Sequence, residues 1–213
     1  MSSLGSAFAS DPMIRLESGG NPAAVNRRTG ATGLRQFMPS ALQAAGVYAP
    51  AGADGWGGTF RIPGFENVRT RADFMANPAA QEAANRLHED NLRREIARRG
   101  LAQFFGQTIG GIPIDEARTI TAMHFTGPAG TARFLQSGGQ HNPSDGNLRL
   151  TEYVTRARPD GRPLAPLRPT PPPGPPSVPP QSSPDPGPLP KPGYGQMEIA
   201  EPGWLARLFG GLG

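Results

Sequence analysis

The chain contains no cysteine in 213 residues, which excludes a disulfide framework and thiolate metal sites and leaves the redox compartment open. Its three histidines, His88, His124 and His141, show no ligand spacing, so neither a metal nor another cofactor is expected. The basic stretch Arg86 to Arg99 has no phenylalanine, tyrosine or tryptophan interleaved to stack on bases. The net charge of +4 and pI near 10.3 permit a nucleic-acid partner without requiring one. The densest basic stretch, Arg86 to Arg99, is interleaved with Glu89, Asp90 and Glu95, the pattern of a solvated helix face. Nucleic acid is therefore not the expected partner. Neither alternation nor β-branched runs persist, so strands should be scarce and the fold mainly α. No apolar run reaches membrane-spanning length, and the opening residues lack the basic leader and apolar core of a signal peptide.

Glycine (29) and proline (26) are abundant, and their distribution divides the chain. Residues 1–157 are long enough for one helical domain. Residues 158–193 hold 16 prolines and cannot build a packed core; a disordered, extended Pro-rich linker is expected there. In the final segment, 194–213, Trp204, Leu205, Leu208, Phe209 and Leu212 recur at near-helical spacing. That run is too short to span a bilayer, and residues 203–212 are expected to dock onto a partner protein or a membrane surface, or to fold back on the domain.

The chemistry concentrates between Glu17 and Pro39. Asp11-Pro12 starts a helix, Met13, Ile14 and Leu16 give it apolar contacts, and Gly19-Gly20 stops it. Glu17 then falls in the last turn, at the negative end of the helix dipole. That position and partial burial both favour the protonated carboxyl, a proton donor near neutral pH. The plain alternative is a surface glutamate beside a turn. A glycine-rich turn, Gly30 to Gly33, brings Gln36 back towards the acid, where its amide can bond an N-acetyl group or the carboxyl itself.

Glu17-Ser18 followed by Gly33-Leu34-Arg35-Gln36, with Asn21-Pro22, Ala24-Val25-Asn26 and Gly30-Ala31 in register, resembles the catalytic region of the soluble lytic transglycosylases (SLT). The resemblance implies a lysozyme-like, goose-type helical domain. The implied reaction is cleavage of the MurNAc–GlcNAc β-1,4 bond of peptidoglycan glycan strands with formation of 1,6-anhydro-MurNAc. Arg35 stands where the family has methionine and is expected at the cleft edge or in solvent. The third motif, normally Ala-Tyr-Asn before Ala-Gly-Pro, reads Ala122-Met123-His124-Phe125-Thr126-Gly127-Pro128, similar to phage and prophage variants. His124 and Phe125 are then expected to line the cleft, although a lone histidine on a helix is as readily a hydrogen-bonded packing residue. Tyr153-Val154 matches the tyrosine that in the family positions the acid, and Ser18 and Gln36 are expected to assist it.

In the loop over residues 47–68, Trp56 suits either a sugar-stacking platform or a plug that ties the loop to the domain. The helix that follows carries Ala80, Ala83, Ala84 and Leu87, then shifts its apolar stripe to Leu92 and Ile96. The matched motifs hold a single acid, Glu17, so the substrate's N-acetyl and C6 hydroxyl groups must supply what a second carboxylate would. Asp54, Glu66 or Asp73 activating water would instead make the protein a hydrolytic lysozyme. A non-catalytic wall-binding or structural virion component is the rival from another class. With no leader expected, carriage in a phage virion is the expected route to the periplasm, with the protein otherwise cytoplasmic until release. The C-terminal segment would then bind a virion or envelope protein.

Overall fold

A computed structural model describes residues 10–159; the proposed linker and docking segment lie outside the described residues. Among the described residues six α-helices carry the fold. Helix α1, Pro12–Ser18, begins as expected, with Asp11 Oδ1 accepting from the amides of Met13 and Ile14, and it ends on left-handed Gly19 (φ 63°). Helix α2, Pro39–Ala44, also has proline at its start. Helix α3, Arg71–Ala76, opens with a reciprocal Thr70/Asp73 capping box, and Asn77 caps the long α4, Pro78–Arg98. A 3-10 turn, Leu101–Phe104, leads to α5, Glu116–Gln136, and α6, Leu150–Ala157, completes the set.

Two small antiparallel hairpins interrupt the helices. They pair β1, Tyr48–Ala49, with β2, Thr59–Phe60, and β3, Thr108–Ile109, with β4, Ile112–Pro113. Strands of two residues are too short to carry an alternation signal, which is why the sequence does not announce them. Helix α5 is broken at Gly127 (φ 72°, ψ 166°), a conformation that suits glycine, and Pro128 restarts the helix in a new direction.

The shift of the apolar stripe along α4 has a physical cause. Ala80, Ala83 and Ala84 belong to one core with Phe37, Leu42, Tyr48, Trp56, Phe60 and Phe74. Leu92 and Ile96 belong to a second core with Ile120, Phe125, Phe134, Leu150, Tyr153 and Val154. Where the cores meet, buried polar groups replace apolar ones: Asn85 and His88 on α4, with Glu17, Arg35 and His124. The rings of Phe37, His88 and His124 pack edge to face across this junction, with centroids 5.4 to 5.9 Å apart.

Gln81 fixes the Gly33 turn to α4. Its Oε1 accepts from the Leu34 amide at 2.7 Å, and its Nε2 donates to the carbonyls of Pro22 and Phe74 at 2.9 Å. Gly33 has φ 86°, and a Cβ there would sit 2.5 Å from Gln81 Oε1, so both conformation and space require glycine. Gln81→Leu strands the buried Leu34 amide and takes a donor from the Pro22 carbonyl, while the Phe74 carbonyl keeps the Asn77 amide; it should cost about 2 kcal/mol of unfolding free energy. Urea denaturation checks this; a loss under about 0.5 kcal/mol, the scale of surface substitutions, would mean the Leu34 amide finds another partner.

Candidate active site around Glu17

Helix α1 delivers Glu17 into the junction between the cores, where 2% of it remains exposed. The Tyr153 hydroxyl, presented by α6, donates to Glu17 Oε1. Burial pushes the carboxyl up to about 8; the Tyr153 hydrogen bond and the nearby Arg35 charge pull against that rise, and Asp145 adds to it. Phe125 stacks behind Tyr153, with centroids 4.5 Å apart and an interplanar angle of 26°. Glu17 is thus a protonated acid at neutral pH, held by one donor whose ring is fixed from behind.

Arg35 corrects the expectation of a solvent-facing residue. It is buried, with Nη2 2.9 Å from Asp11 Oδ2 and Nε 3.2 Å from Glu82 Oε1. Desolvation works against its charge, but Glu82 and Asp11 outweigh that and hold the guanidinium protonated. Asp11 responds in kind: burial opposes its ionisation, yet Arg35 and the amides of Ile14 and Met13 bring its pKa below the usual value. One cation therefore links the cap of α1, the glycine-rich turn and α4.

The carbonyl of Arg35 lies 3.0 Å from His124 Nε2, and a carbonyl can only accept, so that nitrogen carries the proton. Burial, with His88 and Arg35 nearby, lowers the His124 pKa to about 3, leaving a neutral ring 3.9 Å from Glu17 Oε1. This is the hydrogen-bonded packing role, although His124 also lines a cavity of about 380 Å³ between α2, α4 and the break in α5. Glu17 does not line that cavity; His124 is the wall between them.

Other expectations need correction. Phe125 does not line the cleft; it is 1% exposed and belongs to the second core. Gln36 is fully buried, and its Nε2 donates to the carbonyls of Gly33 (3.0 Å) and Ala24 (3.3 Å), stitching a turn in which its own φ is 48°. Its amide protons are spent on that turn. Ser18 donates to the Ile14 carbonyl inside α1 and braces the helix end. Trp56 offers no open face: its indole donates to the Gly30 carbonyl at 2.9 Å, and the ring packs among Tyr48 and Phe60 with Arg71 over it. It is the plug.

Asp54, Glu66 and Asp73 are engaged by neighbouring backbone amides of Trp56, Gly64 and Thr70 respectively. Asp145, which the sequence reading missed, is instead the acid that bears on Glu17. Its Oδ1 accepts from the amides of Asn147 and Leu148, an Asx-type turn ahead of α6. The signal was present as Asp145-Gly146-Asn147, but a turn motif does not reveal what lies across it.

Residues 12–50 match the family model of the transglycosylase SLT domain. That match covers Glu17 and the Gly33–Gln36 turn, it supports the SLT family, and the mainly helical fold is consistent with a lysozyme-like SLT domain. No curated protein and no solved structure matches the chain.

Tyr153→Phe removes the donor that favours the ionised carboxylate, so the Glu17 carboxyl should titrate at higher pH than in the wild type, as read by carbon NMR of the labelled side chain. A downward move would overturn the assignment. Because the folded value, about 8, lies above the ordinary glutamate value of 4.5, the unfolded chain gives up this proton first. Glu17's contribution to stability is whole below pH 4.5 and is lost as pH rises towards 8. Glu17→Gln should flatten that part of the stability–pH curve in denaturant titrations at stepped pH.

Proposed function

We propose that the protein is a peptidoglycan lytic transglycosylase with Glu17 as its acid and then its base. The observation that carries this reading is the buried carboxyl of Glu17, protonated at neutral pH under the Tyr153 hydroxyl, within the segment that matches the SLT family. In the first step Glu17 gives its proton to the glycosidic oxygen and the C1–O4 bond breaks. The neighbouring N-acetyl carbonyl stabilises the cationic C1 centre. Glu17, now a carboxylate, takes the proton of the C6 hydroxyl as O6 closes on C1, which returns the acid and yields 1,6-anhydro-MurNAc. No water is consumed, and no second carboxylate is required.

Tyr153 positions the acid, Phe125 holds Tyr153, and His124 stands between the cavity and the acid. A neutral His124 beside the protonated acid adds no charge that would compete for the proton. The likeness of the segment Ala122–Pro128 to phage-type motifs supports a further part of the proposal, delivery to the wall as a virion component. The second reading is a hydrolytic lysozyme of the same fold, and the observation in its favour is Asp145, whose charge bears on Glu17.

Mass spectrometry of muropeptides released from purified peptidoglycan separates the readings. The transglycosylase releases products one water lighter than hydrolytic ones, and Glu17→Gln should lower their release at least about a hundredfold, the lower range for a general acid. Reducing-end products that are lost with Asp145→Asn would establish the lysozyme. No release by the wild type, with binding to the wall intact, would mean a non-catalytic wall-binding protein.

A further inference from the structure

Helix α6 carries the Tyr153 hydroxyl to Glu17, yet its eight residues are too few to hold a helix by themselves. Its first turn is tied to the loop before it: the Arg149 amide donates to Glu152 Oε2 at 2.8 Å, and Asn142 Oδ1 accepts from the Thr151 amide at 3.3 Å. Its last turn has a different anchor. The composition changes after Ala157, which leaves Arg158 on the linker side of the boundary, but the Arg158 side chain reaches back onto the domain. Its Nε donates to Thr121 Oγ1 on α5 at 3.2 Å. Thr121 is fully buried, and its hydroxyl proton goes to the Ala117 carbonyl at 2.9 Å, so the oxygen meets Arg158 as an acceptor.

Thr121 and Phe125 lie four residues apart on α5 and so share a face. Phe125 stacks on the Tyr153 ring and Thr121 receives the Arg158 head, which makes two attachments of α6 to one stripe of α5. Stacked rings tolerate sliding in their plane, whereas a hydrogen bond is directional. The second attachment therefore fixes the rotation of α6, and with it the Tyr153 hydroxyl over Glu17. Charge supports the latch. Glu89 on α4 bears on Arg158 while it accepts from Asn85 Nδ2 at 2.9 Å and lies 3.9 Å from Arg93. Burial pushes the Glu89 carboxyl up, and Arg35, Asn85, Arg93 and Arg158 oppose the rise. Burial and then Glu17 push the Tyr153 phenol well up, with Arg35 and Arg158 acting against them. His124, also within reach of the Arg158 charge, is neutral.

We infer that Arg158 is a positioning residue for the acid: its bond to Thr121 locks α6 on α5 and thereby holds the Tyr153 hydroxyl on Glu17. The inference rests on Glu17 being the acid of the reaction proposed above, and adds a group from outside the SLT-matching segment that acts without touching substrate. Proton donors need positions set to fractions of an ångström, and supporting bonds of this kind supply that. Loss of the bond lets the hydroxyl draw away, which removes a stabiliser of the ionised carboxylate and raises the Glu17 pKa. The carboxylate formed in the first step loses the same donor, so turnover falls while glycan binding is untouched.

The test uses the full chain as wild type, Arg158→Met, Thr121→Val and Arg158→Lys, with carbon NMR of the labelled Glu17 carboxyl. In Arg158→Met and Thr121→Val the titration should move up by at least about half a pH unit, and in Arg158→Lys by less. Thr121→Val keeps the Arg158 charge and serves alone should Arg158→Met fail to fold. In a Tyr153→Phe background neither variant should add a further shift, because the effect runs through that hydroxyl. On soluble glycan fragments the two variants should lower kcat about tenfold with KM within about twofold, and the alkaline limb of the pH profile should follow the Glu17 titration. A Glu17 titration that stays put in both variants leaves Arg158 a role in stability alone and overturns the inference. So does a shift that persists in the Tyr153→Phe background, which makes the effect one of charge acting directly on the acid. A wild type that releases muropeptides while the titration never moves keeps the proposed function and loses the latch. A titration that moves as expected in a protein that releases nothing keeps the latch and loses the catalysis.

Discussion

A guanidinium taken out of water has to be met by carboxylates, and meeting that demand at Arg35 organises everything around Glu17. Asp11 answers from the start of α1 and Glu82 from α4, so the helix that carries the acid is pinned at its first turn to the helix that spans the molecule. The backbone carbonyl of the same arginine accepts a hydrogen bond from His124 Nε2 and so orients the ring beside the acid. Removing either carboxylate would leave the cation short of a partner in a medium that does not forgive it, which is why the three elements cannot drift independently.

Around this anchor the acid is controlled by opposing influences of different range. Desolvation acts over the whole carboxyl and raises its pKa; the Tyr153 hydroxyl acts at contact and lowers it; Arg35 and Asp145 act through space with opposite signs. A carboxyl governed this way remains a proton donor at neutral pH and still has a donor ready to receive its charge once the proton has gone. Phe125 contributes by holding the Tyr153 ring, an indirect role that a purely apolar side chain can fill.

Much of this was legible in the sequence where the cause is local. Asp11-Pro12, Gly19-Gly20 and the placement of Glu17 in the last turn of α1 follow from capping chemistry a few residues wide. Tyr153 was reached through resemblance, and its hydroxyl does meet the acid. The misreadings all concern partners distant in sequence. Nothing near Arg35 announces Glu82, nothing near Trp56 announces the Gly30 carbonyl, and Phe125 looks like a cleft residue until Tyr153 is seen to stack on it. Gln36 misled for another reason: a polar side chain beside glycines reads as free to bind, when it was holding its own turn at a positive φ. The roles of these residues in catalysis stay with the proposal; their positions are structural.

The division of α4 between two cores has a bearing on how the protein comes apart. One continuous helix supplies Ala80, Ala83 and Ala84 to the first core and Leu92 and Ile96 to the second, so neither half possesses a complete apolar interior. Cutting the domain anywhere along that helix would expose both interiors at once. Loss of either half should therefore spread to the other, giving a single all-or-none transition in place of two staged ones. The same property makes the first half, which includes the SLT-matching segment, a poor candidate for excision as a minimal enzyme: residues that resemble the family end well before the helix that keeps them folded.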